Sequence, residues 1–193
     1  RAEYRTLLRQ DNADQRLTPK AYALGLASDE RMRAVEKKEK LSNALVSFLK
    51  KTSYDLEEAN NLLQDKEDVA VKQTDKFAKL LSRPNIKRED LLRFQNVTAF
   101  LEEKNMDDVI LEQAEIEIKY AGYIEKEKRT ADKLKRLENI KIPQAFDYDR
   151  LASLSHEAKE KLNKTQPTTL AQASRISGIN PSDISVLLVS MGR

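Results

Sequence analysis

Residues able to carry catalysis are sparse in this sequence. His156 is the only histidine among 193 residues, and cysteine is absent. A zinc site or a Ser-His-Asp triad would rest on His156 alone, so a surface histidine is the simpler interpretation. Acidic pairs such as Glu57-Glu58 and Asp107-Asp108 stand at predicted helix starts, where they favour the helix dipole. The pattern predicts no catalytic residue and no metal site in this chain, and it leaves open whether the chain belongs to an enzyme.

The glycines do not form a phosphate-binding loop. Such loops need clustered glycines so that the backbone can approach the phosphates closely. The four glycines of this chain occur singly, at Gly25, Gly122, Gly178 and Gly192. We therefore expect no cofactor to bind to this chain.

Two basic clusters are candidates for contact with phosphates. The first is Arg1, Arg5, Arg9 and Arg16, with few acids between them. The second lies near the end of a long predicted helix and consists of Lys126, Lys128, Arg129, Lys133, Lys135, Arg136 and Lys141. Because acids are interleaved with the second cluster, a helix with internal ion pairs is the favoured interpretation there.

The last 25 residues have the spacing of a helix-turn-helix, with Gly178 in the turn. A DNA-binding regulator is therefore the alternative function. Base reading requires Arg, Lys, Asn or Gln on the second helix. That helix has no basic residue before Arg193, and apolar residues occupy most of its faces. The pattern favours contact with protein over contact with DNA.

Composition predicts a highly charged helical protein. Charged residues make up 35% of the chain, mean hydropathy is −0.69, and 35 basic residues nearly balance 32 acidic ones. No apolar run approaches the roughly 20 residues of a membrane span, and no signal peptide is evident. We expect a cytoplasmic protein without membrane contact. Because the chain opens at Arg1 and not at Met, we also expect a fragment of a longer protein.

Hydrophobic periodicity predicts an all-α fold with two long amphipathic helices, about 28–51 and 106–139, and shorter helices between them. Three further short helices form a small C-terminal helical cap. Thr18-Pro19 predicts the start of a short helix that Gly25 ends. Gly122, inside the second long helix, indicates a close approach of another helix. Alternation over residues 1–10 favours a short strand or extended arm.

Three motifs resemble the C-terminal region of the MnmG (GidA) family. They are "RAEYRTLLRQDNADQRLT", "EIEIKYAGYI" and "FDYDRLASLSHEAKEKLNKTQPTTLAQASRISGINPSDISVLLV", in that order along the chain. Members contain FAD and modify the wobble uridine of tRNA. The resemblance implies three regions: 1–17, a basic arm left from the preceding FAD domain; 18–142, a helical domain with two long helices; and 143–193, a small helical domain.

The resemblance implies a function as well as a fold. This chain would be the C-terminal tRNA-binding and partner-docking module of an FAD-dependent protein. With the GTPase MnmE, that protein adds carboxymethylaminomethyl to carbon 5 of the wobble uridine. FAD, and NADH as reductant, would belong to the parent protein and not to this chain. The parent would be a homodimer that forms a heterotetramer with the GTPase, and DNA would not be a partner.

Site residues follow from the same motifs. Arg5, Arg9 and Arg16 match the arginines of the first motif, and Arg175 matches that of "ASRISG", so the resemblance implies that these four contact tRNA. The helix beginning at Pro181 matches the segment associated with the GTPase. The implied docking residues are Gly178, Ser182, Ser185, Val186 and Val189.

Overall fold

The structure is a computed structural model in which residues 4–144 and 146–192 are described. That part of the chain forms helices and turns, with no strand. Two isolated β-bridges pair Ser53 with Lys76 and Lys141 with Thr169. The predicted all-α class is confirmed. The chain divides into two compact units, unit 1 (Arg1–Glu125) and unit 2 (Lys126–Arg193).

The described residues of unit 1 form six α-helices and the start of a seventh. They are α1 (Ala13–Ala23), α2 (Asp29–Lys51), α3 (Leu56–Asp65), α4 (Phe77–Leu81), α5 (Gln95–Glu103), α6 (Asp108–Lys119) and α7 (Ala121–Glu138), with a 3-10 helix at Arg88–Arg93. Helix α7 crosses the division between the units.

The first long helix forms as predicted. The Ser28 side chain caps α2 by accepting a hydrogen bond from the Arg31 backbone N–H, and acids fill the first turn. Leu45 and Leu49 are completely buried on the inner face of α2. They pack in a core that includes Phe77, whose ring makes an edge contact with Phe94 at a centroid distance of 5.0 Å. The apolar periodicity of α2 therefore places it against α4 and its neighbours.

The start of α1 differs from the prediction. The helix begins at Ala13, and Pro19 lies inside it, although Thr18-Pro19 predicted a helix start. Thr18 is buried and does not act as a cap. The Lys38 ammonium on α2 donates to Asp14 Oδ2 at 3.0 Å and to the Asp11 carbonyl at 3.2 Å. These contacts hold the first turn against α2, so tertiary packing extends the helix beyond its local start signal.

The strand or extended arm predicted at residues 1–10 is wrong for the described residues of that stretch. From Tyr4 the chain forms turns, in which the Leu7 and Leu8 backbone N–H groups donate to the Tyr4 carbonyl at 3.0 and 2.8 Å. Residues 1–3 lie outside the described part of the chain. The alternating residue pattern of this short stretch did not determine its structure, because local backbone hydrogen bonds form turns instead.

The second long helix is interrupted at Tyr120, where α6 ends and α7 begins. Residues 115–119 lie on α6, within the range predicted as helix, and Ile118 is buried. Gly122 contributes to the weak point, since glycine costs about 1 kcal/mol in a helix relative to alanine. The close helix approach expected at Gly122 is wrong: within the described chain, a Cβ at this position would meet nothing within 4 Å.

Beyond the end of α7, the described residues of unit 2 form the three predicted short helices. They are α8 (His156–Thr165), α9 (Leu170–Arg175) and α10 (Pro181–Ser190), preceded by a 3-10 helix at Tyr148–Arg150. The side chains of Ser155, Thr169 and Asn180 cap these helices. Tyr148, Leu162 and Leu187 are buried in the core that the three helices share.

Candidate RNA and partner interfaces

The beginning of α10 is fixed by reciprocal hydrogen bonds. The Asp183 backbone N–H donates to Asn180 Oδ1 at 2.9 Å, and the Asn180 backbone N–H donates to Asp183 Oδ2 at 3.0 Å. Pro181 occupies the first turn, where its missing N–H costs nothing. The single acid of α10 is therefore a buried capping group and not part of an outer surface.

The outer face of α10 is small and mostly polar. Ser182 and Ser185 are exposed, and the Ser185 hydroxyl donates to the Pro181 carbonyl at 3.0 Å. Val189 is 76% exposed, whereas Val186 is half-buried and packs against the core of unit 2. Of the two valines implied as docking residues, only Val189 presents most of its side chain to a partner.

Gly178 occupies a turn that requires glycine. Its φ of +93° lies in the left-handed region, and a Cβ would collide with the ends of the Glu157 and Lys161 side chains on α8. Gly178 is exposed, yet its role here is to let the chain pass close to α8 before α10 begins. The turn thereby sets the position at which α10 enters the unit.

The four implied tRNA contacts fall into two groups. Arg5 is exposed. Arg9 Nε donates to Asp11 Oδ1 at 2.9 Å, Arg16 Nε donates to Asn12 Oδ1 at 2.8 Å, and both arginines are half-buried. Arg175 is exposed in unit 2, where its Nη2 donates to Glu138 Oε1 at 2.9 Å. Arg175 belongs to unit 2, and the other three arginines belong to unit 1.

The Arg9 contact also lowers the pKa of Asp11. Partial burial raises the pKa of Asp11, but the hydrogen bond and charge of Arg9 lower it, and the pKa lies below its ordinary value. Arg9 also donates to the Thr6 carbonyl at 2.7 Å, and Arg16 to the Arg9 carbonyl at 3.3 Å. Both arginines therefore hold the turns of residues 6–12 together, a role that the motif alone did not reveal.

Positive charge is concentrated in unit 2. By sequence, unit 2 carries 13 Lys and Arg against 8 Asp and Glu, a net charge of +5, whereas unit 1 has a net charge of −2. The overall value of +3 conceals this difference. Much of the excess lies on α7, where Lys126, Lys133 and Arg136 are exposed. Sequence reasoning noted this cluster but favoured an ion-paired helix and assigned it no site.

Four other features bear on candidate sites. His156 is exposed at the start of α8. Across residues 4–144 and 146–192, no group of three or more His, Asp and Glu side chains is placed to hold a metal ion. None of the helices in the described part of the chain is long and apolar enough to cross a membrane. Tyr120 and Tyr123 form an exposed pair with ring centroids 6.3 Å apart.

Comparison with protein families covers both units. The model described as "tRNA modifying enzyme MnmG/GidA C-terminal helical domain" matches residues 29–128, and the model described as "tRNA modifying enzyme MnmG/GidA C-terminal helical bundle" matches residues 130–193. The chain belongs to the MnmG/GidA family. The two matched ranges meet between residues 128 and 130, close to the division between units 1 and 2. Both positions lie N-terminal to the boundary between residues 142 and 143 that the sequence suggested.

MnmG proteins match the whole chain. The tRNA uridine 5-carboxymethylaminomethyl modification enzyme MnmG of Flavobacterium psychrophilum is 57% identical over 100% of this chain, and that of Christiangramia forsetii is 56% identical over the same span. A structure of Aquifex aeolicus GidA has a TM-score of 0.60 and 35% identity, covering 100% of this chain and 29% of that one. This chain spans 31% of the length of the two curated MnmG relatives.

Proposed function

We propose that this chain is the C-terminal tRNA-binding and partner-docking module of an FAD-dependent tRNA modification protein. With the GTPase MnmE, that protein adds carboxymethylaminomethyl to carbon 5 of the wobble uridine. The observation that carries the proposal is the 57% identity over the whole chain to an enzyme named for this modification. FAD, NADH as reductant, the homodimer and its heterotetramer with the GTPase belong to the parent protein in this proposal, which acts in the cytoplasm.

The RNA-binding part of the proposal is supported by the charge of unit 2. A net charge of +5 attracts a phosphate backbone over distances of about one Debye length, roughly 8–10 Å at physiological salt. Arg5 and Arg175 are exposed and contribute contacts. Arg9 and Arg16 keep their internal partners and use remaining donors, since a guanidinium has about five N–H groups.

The docking part of the proposal is supported by the outer face of α10. A small surface of Ser182, Ser185 and Val189 on a rigidly capped helix suits close approach of a protein partner. The sequence of α10 contains no Lys or Arg, which disfavours contact with nucleic acid there. We assign RNA and the GTPase to separate surfaces of this module.

Binding of a tRNA transcript to the 193-residue chain tests the RNA assignment. We expect saturable binding that weakens steeply with salt, because counterions are released from the phosphates. Filter binding between 50 and 200 mM salt measures this. Absence of binding at the lowest salt would contradict the assignment.

Val189→Asp in a full-length parent protein tests the docking assignment. We expect weaker association with the GTPase, because the substitution places a charge on the apolar part of the docking face. Val69→Asp is the matched control, since Val69 is 77% exposed and Val189 76% exposed. Equal association of both variants with the GTPase, measured by calorimetry, would show that α10 is not the docking helix.

A further inference from the structure

One face of α7 carries four cations in a regular row. Lys126, Arg129, Lys133 and Arg136 follow one another at intervals of three, four and three residues, which places them on the same side of an α-helix. All four are exposed. Ala131 and Leu137 are the buried residues of this helix, and the row lies on its exposed side, with Leu137 on the flank of the row. We call this row the α7 stripe.

The dimensions of the α7 stripe suit a phosphate backbone. Ten residues separate its ends, which corresponds to about 15 Å at a rise of 1.5 Å per residue. Successive cations are then about 5 Å apart along the axis. A nucleic-acid strand presents phosphates at intervals of a few ångströms, so the stripe can contact several neighbouring phosphates at once.

The surroundings of the stripe contain further cations, together with the interleaved acids Glu125 and Asp132. Lys128 and Lys135 are exposed on the flank of the same helix, and Lys141 follows it. All of these cations belong to unit 2, which has the net charge of +5. Within unit 1, α2 carries a similar row at Arg33, Lys37 and Lys40, but that unit has a net charge of −2.

We propose that the α7 stripe is a phosphate-binding surface that contacts the backbone of tRNA. The proposal rests on the proposed RNA-binding function and assigns that function to a surface outside the MnmG/GidA motif arginines. Arg9 and Arg16 are half-buried and hold local turns, whereas the four residues of the stripe are exposed. Backbone contact through such a row reads no sequence and positions the tRNA for recognition elsewhere.

An acidic protein is the other class of partner that a basic row could bind. The stripe disfavours it, because it contains no aromatic residue or methionine, which are enriched in protein interfaces, and its lysines are a depleted type; its arginines suit either partner. The stripe consists of two lysines and two arginines. RNA is therefore the occupant to which the proposal commits.

The test compares two triple variants of the 193-residue chain. Lys126→Gln/Lys133→Gln/Arg136→Gln removes two lysines and one arginine from the stripe, and Arg33→Gln/Lys37→Gln/Lys40→Gln removes the same charges from the outer face of α2. Glutamine keeps a high helix propensity, and circular dichroism checks that both variants retain the wild-type helix content. The probe is an unmodified tRNA transcript, and affinity is measured by filter binding from 50 to 200 mM salt.

We expect the slope of log affinity against log salt to fall by about one for each stripe cation removed. Over a fourfold rise in salt the wild-type chain then loses roughly 40-fold more affinity than the stripe variant. The α2 variant keeps the wild-type slope.

Three results would overturn the proposal. If the stripe variant has the wild-type slope of log affinity against log salt, the stripe assignment is wrong but the proposed RNA binding stands. If the wild-type chain does not bind tRNA, both the stripe assignment and the proposed RNA binding are wrong. Poly-glutamate that displaces tRNA at equal charge concentration would show a surface for acidic proteins.

Discussion

Gly178→Ala tests whether the turn before α10 fixes the structure of unit 2. The φ of +93° forces an alanine into the left-handed region, at a cost of about 1–2 kcal/mol. The new Cβ also displaces the ends of Glu157 and Lys161, but these side chains are flexible and partly exposed, so their movement adds little. We expect unit 2 to lose about 1–2 kcal/mol of stability.

Hydrogen exchange measured by mass spectrometry reads this cost within unit 2. A loss of that size accelerates exchange of the amides of α8 and α10 by about 5–30-fold, because 1.4 kcal/mol corresponds to a factor of about ten. A Gly178→Ala/Lys161→Ala double variant removes one of the two colliding side chains but keeps the backbone strain. We therefore expect its amides to exchange about 5–30-fold faster than those of Lys161→Ala alone. Wild-type exchange rates in Gly178→Ala would refute the assignment of a conformational role to this glycine.

Three further substitutions have expected outcomes. Gly122→Ala stabilises α7 by up to about 1 kcal/mol, because the site is helical and open, and a lower thermal midpoint by circular dichroism would contradict this. Asn180→Ala costs about 1 kcal/mol through loss of its cap on Asp183, measured by urea unfolding, and an unchanged midpoint would exclude a stabilising cap. Burial raises the pKa of Asp90, but the hydrogen bond from Lys66 lowers it below the ordinary 3.8. The stability that the Asp90 charge contributes is therefore present above pH 3.8 and is lost as the pH falls through the lower folded pKa. We expect the free energy of unfolding of Asp90→Asn to fall less steeply with decreasing pH than that of the wild type. Identical acid profiles would contradict this.

Local sequence signals account for the helix starts that depend on a few neighbouring residues. Ser28 caps α2, and Ser155 caps α8. The start of α1 could not be predicted in this way, because the contact of Lys38 with Asp14 joins residues far apart in sequence. Helix α5 and the break at Tyr120 likewise have no strong cap or proline signal.

The exposure of the candidate site residues could not be predicted from the sequence. The apolar pattern of α10 could not separate Val186 from Val189, because only tertiary packing covers the former. The partners of Arg9 and Arg16 lie a few residues away, so a search for nearby acids and amides could have found them. The cations of the α7 stripe recur in the sequence at intervals of three, four and three residues. The interleaved acids led the sequence analysis to favour an ion-paired helix instead of a binding surface.

Removal of the segment equivalent to residues 18–193 from a full-length MnmG-type protein tests most directly whether this chain supplies RNA binding. We expect the shortened protein to keep the absorbance of bound FAD and to lose tRNA affinity by at least about tenfold, which corresponds to 1.4 kcal/mol. The intact protein measured in the same buffer is the control. Unchanged tRNA affinity, or loss of FAD with tRNA affinity retained, would contradict a binding module that holds no flavin.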